Sequence, residues 1–219
     1  MESVPDIVVS DVMMPVMDGL AFCTRLKQHE ATSHIPVLLL TARSSEQQCI
    51  EGLQTGADIY MTKPFSADLL LANIASLLAN RQKLRQLFNT SILNTSTPHH
   101  LNIQHSTSPS PDRRFLDTFL KAMEKHMSNT NLKIEDLGGE VGLSRVQLYR
   151  KVKALTGMTP VEILRETRLK RAMQLLKTTD KTVSEIANEV GFATPGYFSS
   201  CFKKQYDKYP TDVREEMKV

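Results

Sequence analysis

Apolar residues recur with two different periods along this chain. In the amino-terminal part they form short runs, P-D-I-V-V-S-D at 5–11, I-P-V-L-L-L-T at 35–41 and D-I-Y-M at 58–61. Between the runs Leu20, Phe22, Cys23 and Leu26 mark an amphipathic helix, residues 46–54 a second, and residues 66–80 a closing helix that R-Q-K-L-R-Q-L-F at 81–88 can extend. Short β-branched runs alternating with helices predict a parallel sheet with right-handed crossovers. A tract dominated by Ser, Thr, Asn and Pro follows and reads as a flexible linker. From Arg114 onward the period is helical, with Phe115, Leu116, Phe119, Leu120 and Met123 on one face.

The helical part holds two copies of one plan. In residues 182–206, Thr182 and Glu185 form a capping box, Ile186, Ala187 and Val190 supply a buried stripe, and Gly191 ends the helix. A second helix starts at Thr194 with Pro195 in its first turn, and Phe198, Cys201 and Phe202 recur at helical spacing. Thr194, Gly196, Tyr197, Ser199, Ser200, Lys203 and Lys204 are left off the core. Residues 134–157 repeat the plan: Ser144 and Gln147 cap the second helix, Val146, Leu148, Val152 and Leu155 are predicted to point inward, and Arg145, Gln147, Tyr149, Arg150, Lys151 and Lys153 remain for a partner. One such stretch also fits an ordinary helical hairpin with a solvated lysine face. Two copies argue for a pair of helix-turn-helix motifs whose polar and basic faces meet base edges and phosphates. Between them, residues 159–177 open with a Thr cap, Pro and Glu, and predict a linker helix of about 27 Å. That is close to the roughly 34 Å between successive major-groove faces on one side of a duplex. Arg165, Arg168, Lys170 and Arg171 on this strut read as a solvated face.

Composition sharpens the division. A chain of 219 residues, 41% hydrophobic, allows two domains with real cores. Residues 112–219 carry 20 Lys and Arg against 15 Asp and Glu, whereas residues 1–111 carry 7 against 9. The basic half is the half with the repeated helices, which suits a polyanionic partner. Cys23, Cys49 and Cys201 lie far apart and read as small core residues rather than a disulfide framework or zinc site. His99, His100 and His105 sit in the polar tract without neighbouring Cys or carboxylate, and read as linker residues. No apolar run approaches about 18 residues, and no signal-peptide pattern opens the chain, so a soluble cytoplasmic protein without membrane contact is expected.

Candidate chemistry collects where the predicted strands end, as it does in parallel sheets generally. Those ends carry Asp11, Thr41 and Lys63. Together they can accept and hold a phosphoryl group, with Asp11 as nucleophile and Thr41 and Lys63 as donors to its oxygens. Taken singly, the same residues read as a turn acid, a cap and a solvated lysine.

Two resemblances extend this reading. The capped helices, R-L-K-R-A-M-Q-L-L and E-I-A-N-E-V-G-F-A-T-P-G-Y-F-S-S-C-F-K-K-Q-Y resemble the AraC-type DNA-binding domain over about residues 115–214. Gly138 stands where that family usually has Ala, which implies a helix weaker by up to about 1 kcal/mol. Asp207 replaces the usual Gly after the last helix, where a left-handed backbone is expected. The segments S-D-V-M-M-P-V-M-D-G, L-L-L-T-A-R and G-A-D-I-Y-M-T-K-P-F resemble the receiver domain of a bacterial response regulator. That resemblance implies Asp11 as phosphoacceptor, Thr41 as switch hydroxyl, Tyr60 as switch aromatic, and Lys63 before a cis Pro64. It also implies magnesium on Asp11 and the carbonyl of Met13.

In that family the sheet order is 2-1-3-4-5 and an acidic pair ending the first strand holds the metal. This chain starts at what would be the third strand. The expected fold is therefore an α/β remnant holding the third to fifth strands of a parallel sheet, plus an all-α domain with two helix-turn-helix motifs joined by a linker helix. Its parts are a truncated receiver at 1–80, a helical extension and flexible linker at 81–112, and the DNA-binding domain at 113–219. The expected function is sequence-specific transcription regulation, not enzymatic, as the output of a two-component relay. Magnesium binding is expected to be weak and phosphorylation of Asp11 impaired. Expected partners are double-stranded DNA, a histidine kinase domain in the same or another polypeptide, a second copy of the chain and RNA polymerase. The alternatives are a phosphoryl-accepting signalling module and a constitutive or interfering dimerisation fragment.

Overall fold

The computed structural model describes residues 5–42, 54–94 and 110–216. They fall into two compact units, the first built on residues 1–89 with 154–157 and the second on 90–153 and 158–219.

In the first unit three parallel strands, β1 (Val8–Asp11), β2 (Val37–Thr41) and β3 (Ile59–Thr62), lie side by side in chain order. Val8 pairs with Val37, and Leu38 with Ile59, so the carboxyl ends of all three strands reach one edge. Helix α1 (Gly19–Gln28) starts on Asp18, whose side chain accepts from the Ala21 amide at 2.7 Å. Gly19 lies so close to β1 that a Cβ would stand 2.9 Å from the Cα of Val12, which ties the start of α1 to the end of the strand. Val12, Cys23, Val37, Leu39 and Ala57 form the core, with Val8, Leu20, Leu26 and Tyr60 packed against it. Asp58 accepts from the Val37 amide at 2.8 Å and from Lys27 at 2.7 Å, joining three elements at the other end of the sheet. Helix α2 (Ala67–Asn94) runs unbroken through the R-Q-K-L-R-Q-L-F extension. Most of the helix expected at 46–54 lies outside the described residues. No described helix is long and apolar enough to cross a membrane.

The second unit is helical: α3 (Pro111–His126), α4 (Ile134–Glu140), α5 (Arg145–Thr156), α6 (Pro160–Thr178), α7 (Val183–Glu189), α8 (Pro195–Tyr206) and α9 (Pro210–Glu216). Helix α3 begins earlier than its apolar stripe predicted, because Ser110 caps it and Pro111 fills its first position, where a missing N–H is harmless. Phe115, Leu116, Phe119 and Met123 are buried as expected. A larger core joins α6 to the last helices through Leu169, Ala172, Leu175, Leu176, Ile186, Ala187, Val190, Phe192, Phe198, Phe202 and Val213.

From the start of α5 the chain repeats itself at a constant offset of 50 in residue number. Ser144 and Thr194 each accept from the amide three residues on. Leu148 and Phe198, and Val152 and Phe202, are fully buried. Gly157 and Asp207 end their helices in the left-handed region, at φ 78° and 57°. Pro160 and Pro210 then open α6 and α9. Gly138 calls for a correction. A Cβ there would stand 2.5 Å from the Leu143 carbonyl oxygen, so the glycine permits the tight turn as well as costing helix propensity. Gly139, one residue on, has open space around it.

These two glycines give opposite expectations. Gly138→Ala should lower stability by about 1–3 kcal/mol through the forced backbone shift, and Gly139→Ala should raise it by about 0.5–1 kcal/mol. Urea unfolding of the two variants against the parent checks both signs.

Candidate nucleic-acid interface

Burial of Leu148 and Val152 beneath α5 decides what that helix exposes. About 3.6 residues per turn bring Arg145, Val146, Tyr149, Arg150 and Lys153 round to the opposite side. Arg145, Val146, Tyr149 and Lys153 are exposed there, with Arg145 ion-paired to Glu135 at 3.0 Å, and Arg150 is half-buried. Ser144 and Gln147 close the helix start reciprocally. The Ser144 amide donates to the Gln147 side chain at 3.0 Å, and the Gln147 amide donates to the Ser144 hydroxyl at 3.4 Å.

Helix α8 repeats the arrangement over Phe198 and Phe202. Thr194 caps it, and Gly196, Tyr197, Ser200, Lys203 and Lys204 are exposed, with Ser199 half-buried. The Ser199 and Ser200 hydroxyls donate to the Pro195 and Gly196 carbonyls at 2.9 and 3.0 Å. Lys203 donates to the Tyr209 hydroxyl at 3.1 Å and stands 4.2 Å from that ring's centroid. The half-buried Cys201 thiol, one turn on from Tyr197, holds that phenol above its ordinary range.

The strut between the pairs is α6, 19 residues closed at its start by Thr159 and Glu162, which bond each other's amides at 3.2 and 2.7 Å. Arg168 does not belong to a solvated face. Its guanidinium donates to the carbonyls of Met127 and Asn129 at 3.0 and 2.8 Å, and burial pushes its pKa down. It also lies against Gly191, whose φ of 88° turns the chain from α7 into α8, so that a side chain there would overlap the Arg168 guanidinium and the Met127 carbonyl. Burial likewise depresses Lys170 and raises Glu166 beside it.

At the sheet edge Asp11 ends β1, Thr41 ends β2 fully buried, and Lys63 follows β3 across a cis peptide to Pro64. Lys63 bonds the Asp11 carboxylate, and the Met13 amide donates to its other oxygen at 3.0 Å. Both contacts hold the Asp11 pKa below the usual carboxylate range, the Lys63 bond contributing most. Tyr60, half-buried, packs against the sheet core.

Comparison with known proteins assigns the two units. A family profile for the response regulator receiver domain matches residues 1–75, and one for a helix-turn-helix domain matches residues 137–216. The chain is a response-regulator receiver segment joined to an AraC-type helix-turn-helix domain. It is 40% identical to histidine kinase P4 of Formosa agariphila over 213 residues, which cover 97% of this chain and 15% of that protein. It is 43% identical over 82 residues to the DNA-binding dual master transcriptional regulator RpaA of Synechocystis, covering 37% of this chain and 34% of the relative. A solved structure of a transcriptional regulator with an AraC-type DNA-binding domain from Chromobacterium violaceum is 32% identical, covers 48% of this chain and 92% of its own, and superposes with a TM-score of 0.44. The chain thus spans well under two thirds of the curated relatives' length.

Within the helix-turn-helix domain three sequence expectations need correction. Lys151, expected among the partner-facing residues, is fully buried. Its ammonium stands 4.3 Å from the Phe115 ring centroid and 3.7 Å from Asp112, so it fastens α3 to α5. Val146 was placed in the core and is 56% exposed. Arg168 was missed as an anchor because nothing in its local sequence shows the two carbonyls it reaches across the fold. Among the described residues no group of three His, Cys, Asp or Glu side chains could hold a metal ion, and an octahedral cation needs about six oxygen ligands. His99, His100, His105 and Cys49 lie outside the described residues.

The buried and exposed lysines of α5 separate in a stability measurement. Lys151→Ala should cost about 2–4 kcal/mol through lost packing of its stem, whereas Lys153→Ala should change stability by less than about 0.5 kcal/mol. Guanidinium denaturation of both variants tests the assignment.

Proposed function

We propose that the chain regulates transcription by sequence-specific binding of double-stranded DNA. In this reading α4–α5 and α7–α8 are two helix-turn-helix motifs, and α5 and α8 enter successive major grooves held in phase by α6. The observation that carries it is the repeat itself, two capped helices at one offset, each with a buried apolar side and an exposed side bearing arginine or lysine. A helix of 19 residues is about 28 Å long, which suits the roughly 34 Å groove repeat. Ser144 and Thr194 contribute as caps that leave amides and hydroxyls near the phosphates. Arg145, Gln147, Tyr149, Arg150, Lys153, Gly196, Tyr197, Ser199, Ser200, Lys203 and Lys204 supply the contact faces.

The domain scheme of receiver segment at 1–80, linker region at 81–112 and DNA-binding domain at 113–219 belongs to the same proposal, with α3 now beginning at Pro111. The resemblance alone brings in RNA polymerase, a second copy of the chain and a cytoplasmic setting. A gel-shift series tests the reading. Affinity should fall steeply with salt, by about 0.9 in log–log slope for each phosphate neutralised, and Arg150→Ala or Lys203→Ala should weaken binding. A flat salt response would overturn it.

A second reading rests on the sheet edge. Asp11 is the phosphoacceptor, Thr41 and Lys63 hold the phosphoryl oxygens, and Tyr60 follows the change. The donor is a histidine kinase domain, a choice supported by the much longer histidine kinase that matches nearly the whole chain. Asp11 and the Met13 carbonyl would be this chain's own ligands to magnesium, and we infer that phosphorylation of Asp11 is slow in this chain alone. Incubation with acetyl phosphate and magnesium should leave most of the protein without an 80 Da adduct (about one phosphoryl group), with Asp11→Asn as the blank. Rapid stoichiometric labelling that Asp11→Asn abolishes would refute the impairment.

A further inference from the structure

Position-by-position comparison of the repeat separates its two exposed faces. At the offset of 50, Val146 stands opposite Gly196, Tyr149 opposite Ser199, Arg150 opposite Ser200, and Lys153 opposite Lys203. The first helix carries a branched apolar side chain, an aromatic and a guanidinium where the second carries no side chain and two hydroxyls folded back onto their own helix. A Cβ at Gly196 would meet nothing within 4 Å, so this glycine is not required by packing. Single exposed apolar residues are common. Val146, however, occupies the first turn of its helix, where a major-groove helix presents side chains to base edges, and it sits between the exposed Arg145 and Tyr149.

Resting on the DNA-binding reading above, we infer that Val146 is a specificity-determining residue that packs against the 5-methyl group of one thymine. The major groove displays that methyl as the apolar mark of an A·T pair, and an apolar side chain is the group that reads it. Val is stiff at χ1 in a helix, so its two methyls are presented in one orientation. Gly196 and the two serines offer no such apolar contact at the matching places of α8. The methyl contact therefore belongs to α5 and has no counterpart at the matching position of α8, where the exposed side chain of the first turn is Tyr197.

The test uses the full chain and a random duplex pool. After selection, each thymine of the enriched duplex is replaced singly by deoxyuridine, which removes the methyl and keeps the pairing. At one thymine the parent should lose about fourfold in affinity, the value of one buried methyl group. Val146→Ala should bind the thymine duplex about fourfold more weakly and show no further loss with deoxyuridine, while Val146→Ile should keep the preference. Salt-dependent binding with no methyl-sensitive thymine, or with equal sensitivity in Val146→Ala, overturns this inference and leaves the DNA-binding reading standing. A pool that enriches nothing overturns both.

Discussion

What α5 and α8 offer to a partner depends on what lies beneath them. Leu148 and Val152 under one helix, and Phe198 and Phe202 under the other, are removed from solvent completely. Burying each such side chain is worth roughly 1.5–3 kcal/mol, more than any single surface contact, so the core sets the rotation of each helix about its axis. Once rotation is set, the 3.6-residue period leaves no choice about which positions face outward. A row of tilted and edge-on aromatic contacts from Phe192 through Phe198 and Phe202 to Tyr206, with ring centroids 4.7–5.6 Å apart, adds to the packing beneath the second helix.

Local signals in the sequence were sufficient for the starts of the strut and of the last two-helix pair. Thr159, Thr182 and Thr194 cap where the pattern places them, Gly191 turns the chain, and Asp207 takes the left-handed backbone that its place after α8 demands. The sheet edge was legible too, because parallel strands must bring their last residues to the same side. Ser110 and Pro111 escaped because they resemble the polar tract before them. The misreadings at Val146, Lys151 and Arg168 share one physical cause. Periodicity sorts residues by type, and each of these behaves against type: an aliphatic group stays in water, and two cations are drawn inward by a ring, a carboxylate and backbone carbonyls contributed from distant parts of the chain.

The two units solve the burial of charge differently. In the receiver segment Asp11 and Lys63 neutralise each other in a partly exposed pair, an arrangement that keeps the carboxylate ionised and accessible. In the helical unit Lys151 is sealed beneath α3, and Arg168 spends its donors on carbonyls at the end of α3. A charge used in that way is a fastener. It holds α3 against the first helix pair at one point and against the strut at another.

The length of α6 carries a last consequence. Adding one residue to a helix lengthens it by only about 1.5 Å but swings everything beyond it through roughly 100°. An insertion or deletion in this strut would therefore turn α8 relative to α5 long before distance became limiting. If α5 and α8 read one duplex as proposed, the strut can change length only in steps near whole helical turns without turning one reading helix away from its groove.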